Sequence, residues 1–472
     1  MKIEDIITPE QDPSGVMAEF AANLKYEDIP AEQQDYIKRD ILDSMTSLLG
    51  GSTGPCAPTV RDVVLTMAEG GDAKVMVFGD KLPATLAGFV NGTMGRAVDL
   101  GDTGVTGGHV CEWIMPTLMT ALSQLDHPVS GKEFITAFAA GAEWGAREHT
   151  CCRLQYNTKT APGECGGSRY ATISLARLLG FNTRQMWDAA GMSFQAHAAT
   201  TQQKYNEGTA DVRLQHGYMS SDAILICNLV KSGLTSVHGI YMGEGGMLKH
   251  VDHETLGPDF LTEDLGKKWV WKDNITNKLY GGCYYNHTPI YGVLGMMKEH
   301  GFAKEDIKSI HIKTSAGCRC TYLPYEEKWN PQSPESAMFS NPYALTYAVF
   351  TGDCYMDAFK DEAFEKMMAD PAFKAFMQKI SYEYDPEIVT AFDNYPITIT
   401  LNDGREFSKV EGGLPGNQAN PMTWEQAIDK FRKTQRFSAV DLGEEKYNKV
   451  IEICKNMENI DDMRCLVDAM TP

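Results

Sequence analysis

The chain has 472 residues, of which 43% are hydrophobic and 22% are charged, proportions that are ordinary for a soluble globular protein. The formal net charge of −20 disfavours a surface for nucleic acid or for anionic membranes, because such surfaces need clustered lysine and arginine. The length exceeds what a single hydrophobic core usually serves, so we expect two domains.

The sequence carries no pattern of secretion, membrane insertion or a metal centre. The segment MKIEDIITPEQD lacks the basic-then-apolar order of a signal peptide, and the apolar stretches are too short to span a bilayer. The twelve cysteines follow neither a zinc-ligand spacing nor a disulfide framework. We therefore expect a cytoplasmic protein with reduced thiols and no metal site.

The first 270 or so residues predict one helix after another, without a convincing strand. Apolar side chains recur three and four positions apart, which is the spacing of a helix face. Ser130 and Glu133 form a capping box, the pattern that opens many helices. Helices are predicted in this way at residues 33–51, 83–98, 130–146, 182–194 and 220–233.

The pattern changes after about Trp271. Residues 307–315 and 395–411 alternate apolar and polar side chains, as strands do, and Asn402-Asp403-Gly404 predicts a hairpin turn in the second of them. Helical stretches at residues 291–302 and 342–353 separate the two. These features predict a smaller α+β domain.

The last residues are again helical, with a capping box of Thr423 and Gln426. These helices can return to the first domain. We therefore predict a mostly α protein with an all-helical domain, residues 1–272 and 418–472, and an inserted α+β domain, residues 273–417.

One glycine-rich loop, RAVDLGDTGVTGGHVCEW (residues 96–113), collects groups that can hold or move a proton. Asp99, Asp102, Thr103 and His109 lie within eleven residues. A histidine with a pKa near ~6.5 can exchange a proton at neutral pH, and a nearby carboxylate can fix its tautomer. A polar surface connection is the alternative, because aspartate and glycine are common in any loop.

Two further clusters can contribute to a site. Tyr280, Cys283, Asn286 and His287 lie at the proposed domain junction, where small-molecule pockets often form. The alternative is an aromatic patch that closes one domain against the other.

The other cluster is Arg213 and His216, which precede a helix predicted to begin near Gly217. A helix N-terminus favours a carboxylate, and an arginine can bind one with two hydrogen bonds. An ordinary surface arginine is the alternative.

Six stretches, in the same order over about 400 residues, together resemble the MmgE/PrpD family. They are ILDSMTSLLGG, FVNGTMGRAVDLGDTGVTGGH, ATISLARLLGF, CYYNHTPIYGVLGMMKEHGF, FSNPYALTYAVFTGD and GNQANPMTWEQAIDKF. The family includes 2-methylcitrate dehydratase, cis-aconitate decarboxylase and iminodisuccinate epimerase. The resemblance implies a large helical domain with an inserted α+β domain, a homodimer, and an active site between the domains that needs neither metal nor organic cofactor.

The resemblance also implies site residues. The family has a D-x-D-D-[ST] motif followed by a histidine, in which Asp99 takes the first aspartate and Thr103 the hydroxyl position. His109 takes the histidine, Asp102 is retained, and Gly101 stands where the central aspartate is usual. Cys283, Asn286 and His287 match a later C-x-x-N/T-H stretch of the family.

Three positions depart from the family pattern. Ala161 stands at the place of a usual histidine, and Val212 at that of a usual lysine, with Arg213 beside it. Val110 follows His109 where the family has proline. The changes move or remove positive charge, which favours a less acidic or differently shaped substrate than a tricarboxylate.

These residues predict a cofactor-independent lyase, most simply a dehydratase/hydratase or decarboxylase of a small hydroxylated or unsaturated carboxylic acid. His109 is the expected acid/base, oriented by Asp99, and Thr103 binds a substrate oxygen. His287 is the expected second proton-transfer group, and Arg213 anchors a carboxylate. Further substrate contacts are expected from His216, Asp102, Cys283, Asn286 and Tyr280. The alternatives are an epimerase with His109 and His287 on opposite faces of one carbon, and a non-catalytic homologue that binds a metabolite.

Overall fold

The computed structural model describes residues 8–68, 70–104, 108–152, 167–196, 210–250, 254–388 and 394–472. Helices dominate these ranges, and the main sheet is confined to residues 307–411. The mostly α architecture with a smaller α+β part is confirmed. Within the described ranges, the structure has no helix that is both long and apolar enough to cross a membrane.

The larger part of the molecule is a bundle of helices from both ends of the chain. The N-terminal helices are α1 (Pro13–Asn23), α2 (Ala31–Gly51), α3 (Ala57–Met67), α4 (Ala84–Ala97), α5 (Val110–Ala121), α6 (Gly131–Cys152), α7 (Gly167–Leu178), α8 (Thr183–Gln195), α9 (Leu214–Lys231), α10 (Met247–His250) and α11 (Asp259–Thr262). The C-terminal helices are α18 (Trp424–Thr434), α19 (Glu444–Lys455) and α20 (Arg464–Ala469).

The centre of this bundle is α2, which packs against α4 and α5 and against α18 and α19. Its apolar residues Ile37, Ile41 and Leu48 are fully buried, as their helical spacing predicts. Burial of such a side chain stabilises the fold by roughly 1.5–3 kcal/mol. One continuous hydrophobic cluster runs from Met17 to Ile275 and resumes from Met422 to Met470, so the two ends of the chain share a core.

The smaller part has its own core and one four-stranded sheet. Its helices are α12 (His287–His300), α13 (Tyr325–Lys328), α14 (Pro334–Met338), α15 (Asn341–Thr351), α16 (Asp361–Ala369) and α17 (Pro371–Met377). Its strands are β5 (Ile307–Thr314), β6 (Ile380–Tyr384), β7 (Tyr395–Leu401) and β8 (Glu406–Glu411). The strand order is β6-β5-β7-β8, with β5 and β6 parallel and the other pairs antiparallel.

Local sequence signals are confirmed in several places. The turn at Asn402-Asp403-Gly404 joins β7 to β8, and Gly404 has the positive φ of 91° that favours glycine. The capping boxes at Ser130–Glu133 and Thr423–Gln426 both form.

Two sequence predictions are wrong. The helix predicted to begin near Gly217 begins at Leu214, after a 3-10 turn at Ala210–Arg213, so His216 and Gly217 lie inside it. The helical part also contains the short strands β1 (Ala73–Lys74), β2 (Lys81–Leu82) and β3 (Asp102–Gly104), which are too short to show an alternating pattern.

The chain crosses between the two parts twice, and the two crossings are bonded to each other. Strand β4 (Ile275–Asn277) pairs antiparallel with β3, and its Asn277 N–H donates to the Gly416 carbonyl at 2.8 Å. The Gln418 side chain donates to Thr276 Oγ1 at 2.8 Å. The domain boundaries at 272/273 and 417/418 stay a prediction, which the location of the two cores supports.

Candidate active site

A pocket lies between the loop around β3 and the segment that follows β4, with an empty volume of about 360 Å³. The described residues that line it are Arg96, Asp99, Thr103, His109, Lys278, Cys283, Tyr284, Tyr285, Cys320 and Phe339. Four of them, Asp99, Thr103, His109 and Cys283, were predicted from the sequence.

The backbone places Asp99 and His109 on the same side of this pocket. Helix α4 ends at Ala97, and Asp99 then turns the chain with a left-handed φ of 51°, a conformation that aspartate tolerates better than most residues. Strand β3 follows, and its pairing with β4 holds Thr103 opposite Thr276. His109 then stands at the N-terminus of α5.

Asp99 forms a buried ion-pair network with two cations from different segments. Its Oδ1 contacts Arg96 Nη1 and Lys278 Nζ, and Lys278 also donates to the Asp99 carbonyl at 3.1 Å. Burial alone would raise the pKa of Asp99, but the charges of Arg96 and Lys278 hold it well below its usual value. Among the side chains that the structure describes here, one charged carboxylate thus faces two buried cations, which gives this part of the pocket an excess of positive charge.

His109 is held as a neutral imidazole. Its Nδ1 lies 2.7 Å from the Asp102 carbonyl, which can only accept, so Nδ1 carries the proton and donates. Burial, together with the charges of Arg96 and Lys278, lowers the pKa of His109 well below its usual value. The lone pair of the ring is therefore on Nε2, where it can accept a proton.

Asp102 supports His109 and the following helix rather than lining the pocket. Its Oδ1 accepts hydrogen bonds from the backbone N–H groups of Cys111 at 3.1 Å and Glu112 at 3.4 Å. These donors lie in the first turn of α5, where a helix has no carbonyl of its own to pair with them. Burial and the nearby Asp40 raise the pKa of Asp102 to about 8. It is accordingly a neutral helix-capping group at pH 7.

His216 and Glu112 form a second layer behind His109. The His216 ring centroid is 5.3 Å from that of His109. Glu112 Oε2 lies 3.4 Å from His109 Nδ1 and 3.6 Å from His216 Nδ1. Burial raises the pKa of Glu112 to about 8 and lowers that of His216 well below its usual value, so all three groups are neutral at pH 7.

Arg213 is fully buried next to the pocket wall. Its Nη2 lies 2.8 Å from Met338 Sδ, and the guanidinium stands 5.7 Å from the ring centroid of Phe339, which lines the pocket. Within the ranges that the structure describes, no carboxylate lies within 4 Å of it. Its Nε and Nη1 likewise have no hydrogen-bond partner there.

The remaining predicted residues lie outside the pocket lining. His287 is buried between Tyr280 and Tyr284, with ring centroids 5.3 and 4.7 Å away. Tyr284 lines the pocket whereas His287 does not, and burial and Lys278 lower the pKa of His287 well below the usual value. The Asn286 amide donates to the Met338 carbonyl at 3.0 Å, and Tyr280 is half-buried beside His287.

The structure shows the surroundings of one of the positions at which the sequence departs from the family pattern. Val212 is buried in the hydrophobic core of the smaller part, and Ala161 lies outside the described residues.

Sequence reasoning missed Arg96, Lys278 and Glu112. Each is a charged residue within or close to a group of residues that was singled out, and that position was the available signal. Arg96 is the first residue of the 96–113 loop and Lys278 lies two positions before Tyr280, but Lys278 and its partner Asp99 are 179 positions apart. Among the side chains that the structure describes, no group of three or more His, Cys, Asp or Glu residues is placed to hold a metal ion.

Comparison with known proteins agrees with this architecture. Family models match the MmgE/PrpD N-terminal domain over residues 15–256 and the MmgE/PrpD C-terminal domain over residues 280–456. The chain is similar to cis-aconitate decarboxylase of Aspergillus terreus, with 23% identity over 487 residues that cover 97% of this chain and 96% of that protein. Human cis-aconitate decarboxylase is 22% identical over 404 residues (82% and 79%). The cis-aconitate decarboxylase-like protein oryM of Aspergillus oryzae is 25% identical over 458 residues (90% and 91%).

Proposed function

Because this chain belongs to the MmgE/PrpD family, we propose that it is a cofactor-independent carboxy-lyase that decarboxylates an unsaturated polycarboxylic acid of the cis-aconitate kind. The curated relatives are named as cis-aconitate decarboxylases, which favours decarboxylation over the dehydration expected first from the sequence.

One observation carries this proposal: a neutral imidazole faces a pocket whose described lining holds more buried cations than anions. Arg96 and Lys278 both contact Asp99, and Asp102 and Glu112 add no negative charge at pH 7 because burial keeps them protonated. With the buried Arg213 beside the pocket wall, the described cations exceed the charged carboxylates by two, and a substrate with two or more carboxylates would neutralise this excess. Val212 stands where the family usually has a lysine, so one positive charge is absent at that position. Arg96 and Lys278 bring positive charge to the pocket instead, which supports a polycarboxylate over a less acidic substrate.

The proposed reaction needs one proton at carbon. When a carboxylate on the saturated carbon next to a double bond leaves as CO₂, the electron pair of the broken C–C bond forms a new double bond. The original double bond then shifts its pair to the carbon next to a remaining carboxylate, and that carbon takes up one proton. A bound polyanion would offset the charges of Arg96 and Lys278 and raise the pKa of His109. His109 Nε2 would take up a proton as the substrate binds and deliver it to the carbon after CO₂ leaves. Thr103 would bind a carboxylate oxygen, and Arg213 would anchor a second carboxylate.

The test is a panel of acids incubated with the protein in D₂O and read by mass spectrometry. The panel holds cis-aconitate, 2-methylcitrate, iminodisuccinate and simpler hydroxy and unsaturated acids. Loss of CO₂ with one deuterium gained per product, from an unsaturated polycarboxylate, supports the proposal. Loss of water would replace it with a dehydratase, and exchange without loss of mass would replace it with an epimerase. No change in any compound would overturn it.

A further inference from the structure

Gly101 lies against the carboxyl group of Glu112 without space for a side chain of its own. A Cβ atom built on Gly101 would be 2.4 Å from Glu112 Oε1 and 2.8 Å from Ser47 Oγ. The Gly101 N–H donates to the same Oε1 at 2.9 Å. The φ of Gly101 is outside the left-handed region, so its backbone would accept other residues. The nearest obstacle at this position is the Glu112 side chain, and the Ser47 hydroxyl is the second.

Gly101 is the one position at which the loop departs from the D-x-D-D-[ST] motif of the family. Gly101 stands where the related sequences have the central aspartate of D-x-D-D-[ST]. Glu112 enters the same space from α5 and brings a carboxyl group with it. Because a side chain at 101 and the Glu112 carboxyl group exclude each other, the two are alternative ways to place a carboxyl group at one point of the site.

The second oxygen of Glu112 is directed at the two histidines. Oε2 lies between His109 Nδ1 and His216 Nδ1, at 3.4 and 3.6 Å, and the carboxyl group is completely buried. Both rings also contact Trp113, with ring centroids 6.3 and 5.7 Å away. The imidazoles are thus packed around one carboxyl group, which can set the orientation of both.

We propose that Glu112 replaces the missing aspartate as the positioning residue of the site and fixes the rings of His109 and His216 relative to the pocket. It acts through the histidines and does not contact the substrate. The inference rests on the proposed function only for its kinetic test. Its structural test needs no substrate.

The structural test is ¹⁵N NMR of histidine-labelled protein, with signals assigned from His109 and His216 variants. In Glu112→Ala, we expect the His109 and His216 ring signals to shift or broaden, while those of exposed His127 and His311 stay in place. The double variant Gly101→Asp/Glu112→Ala should return both signals towards their wild-type positions. Unchanged His109 and His216 signals in Glu112→Ala would overturn the proposal.

Two further variants separate positioning from loss of folding. Glu112→Gln keeps the size of the side chain, the acceptor for Gly101 N–H and the neutral charge that Glu112 has at pH 7, so the His109 and His216 signals should stay near their wild-type positions. Glu143→Gln is the matched control, since Glu143 is a buried carboxylate on α6 that pairs with Arg147 at 2.7 Å, outside the pocket. It should change the melting temperature at most and leave the His109 and His216 signals unmoved.

The kinetic test uses the acid that the D₂O panel identifies. Glu112→Ala should lower kcat by roughly 10- to 100-fold with a smaller change in KM, as expected for misplaced reacting groups. Gly101→Asp alone should also lose activity, because the added side chain meets Glu112. The double variant should be at least about 10-fold more active than Glu112→Ala. If the double variant instead shows the combined activity loss of Glu112→Ala and Gly101→Asp, an aspartate at position 101 does not take over the role of Glu112, and the proposal is overturned. If no acid in the panel reacts, the proposed function fails while the NMR result still decides this inference.

Discussion

His109 combines the two properties that proton transfer requires, a defined tautomer and a place in the pocket wall. Replacing it with asparagine keeps a donor towards the Asp102 carbonyl but removes the exchangeable lone pair at Nε2. We expect His109→Asn to lower turnover by roughly 10²-fold or more. The control is His127→Asn, which changes an exposed histidine on a loop. Near-normal turnover of His109→Asn, measured as product formed per minute, would remove His109 from its assigned role.

Arg213 illustrates a conflict between stability and binding. A buried cation without a paired carboxylate costs folding free energy, and an apolar residue of similar size is often more stable by about 1–4 kcal/mol. Arg213→Met would place a thioether against Met338 and Phe339. We expect a higher melting temperature together with a KM for the polycarboxylate raised at least ~10-fold. A lower melting temperature with unchanged KM would show a purely structural role.

At the scale of the element, α5 is tied to the β3 loop by Asp102. Its Oδ1 binds two N–H groups of the first helical turn, and its backbone carbonyl binds the His109 ring. Because Asp102 is neutral at pH 7, Asp102→Asn should retain stability within about 0.5 kcal/mol.

Asp102→Ala, in contrast, should lose about 1–2 kcal/mol of unfolding free energy, the usual cost of removing a cap. Chemical denaturation of both variants measures this difference. Equal losses in the alanine and asparagine variants would show that the capping bonds contribute nothing.

Sequence reasoning was successful where a structure depends on near neighbours. The turn at Asn402-Asp403-Gly404 and the two capping boxes are set by residues within a few positions, and each formed as predicted. The helix start near Gly217 was misplaced because the 3-10 turn before α9 continues directly into the helix, with no residue that marks the boundary.

The same limit applies to the candidate site. The loop that holds Asp99, Thr103 and His109 was found because these residues are close in sequence. Lys278 and Glu112 were missed because their roles depend on contacts that the chain makes only when folded. Lys278 contacts Asp99, 179 positions away, and Glu112 accepts a hydrogen bond from Gly101, 11 positions away. Such contacts are decided by packing, which a single sequence does not display.

For the whole molecule, buried carboxyl groups determine how stability depends on pH. Burial raises the pKa of Asp40 to about 7, and those of Asp102 and Glu112 to about 8. These three groups therefore bind more protons in the folded protein than in the unfolded chain between about pH 4 and 8, and their contribution to stability falls as pH rises in this range. The buried histidines, whose pKa is lowered, oppose this trend only below about pH 6.5, where the unfolded chain takes up protons.

We thus expect the melting temperature to fall steadily from pH 6.5 to 8.5 in calorimetry. Asp40→Asn, which keeps the acceptor for the Asn277 amide, should make this fall shallower. Glu19→Gln, at an exposed position on α1, should leave the slope as in the wild type. A melting temperature that is constant or rises over this range would show that these carboxyl groups are ionised in the folded protein.

The hydrogen bond from Asn277 N–H to the Gly416 carbonyl, 2.8 Å long, means that the two crossings between the helical part and the smaller part meet at one point. A few glycines could bridge that gap at small entropic cost, so residues 278–415 are open to excision. The remaining helices keep their own core and should fold, carrying His109 and Glu112 but no Lys278. Supplying the excised domain as a separate polypeptide would then ask whether the two halves of the pocket can complement each other, with recovered turnover as the measure.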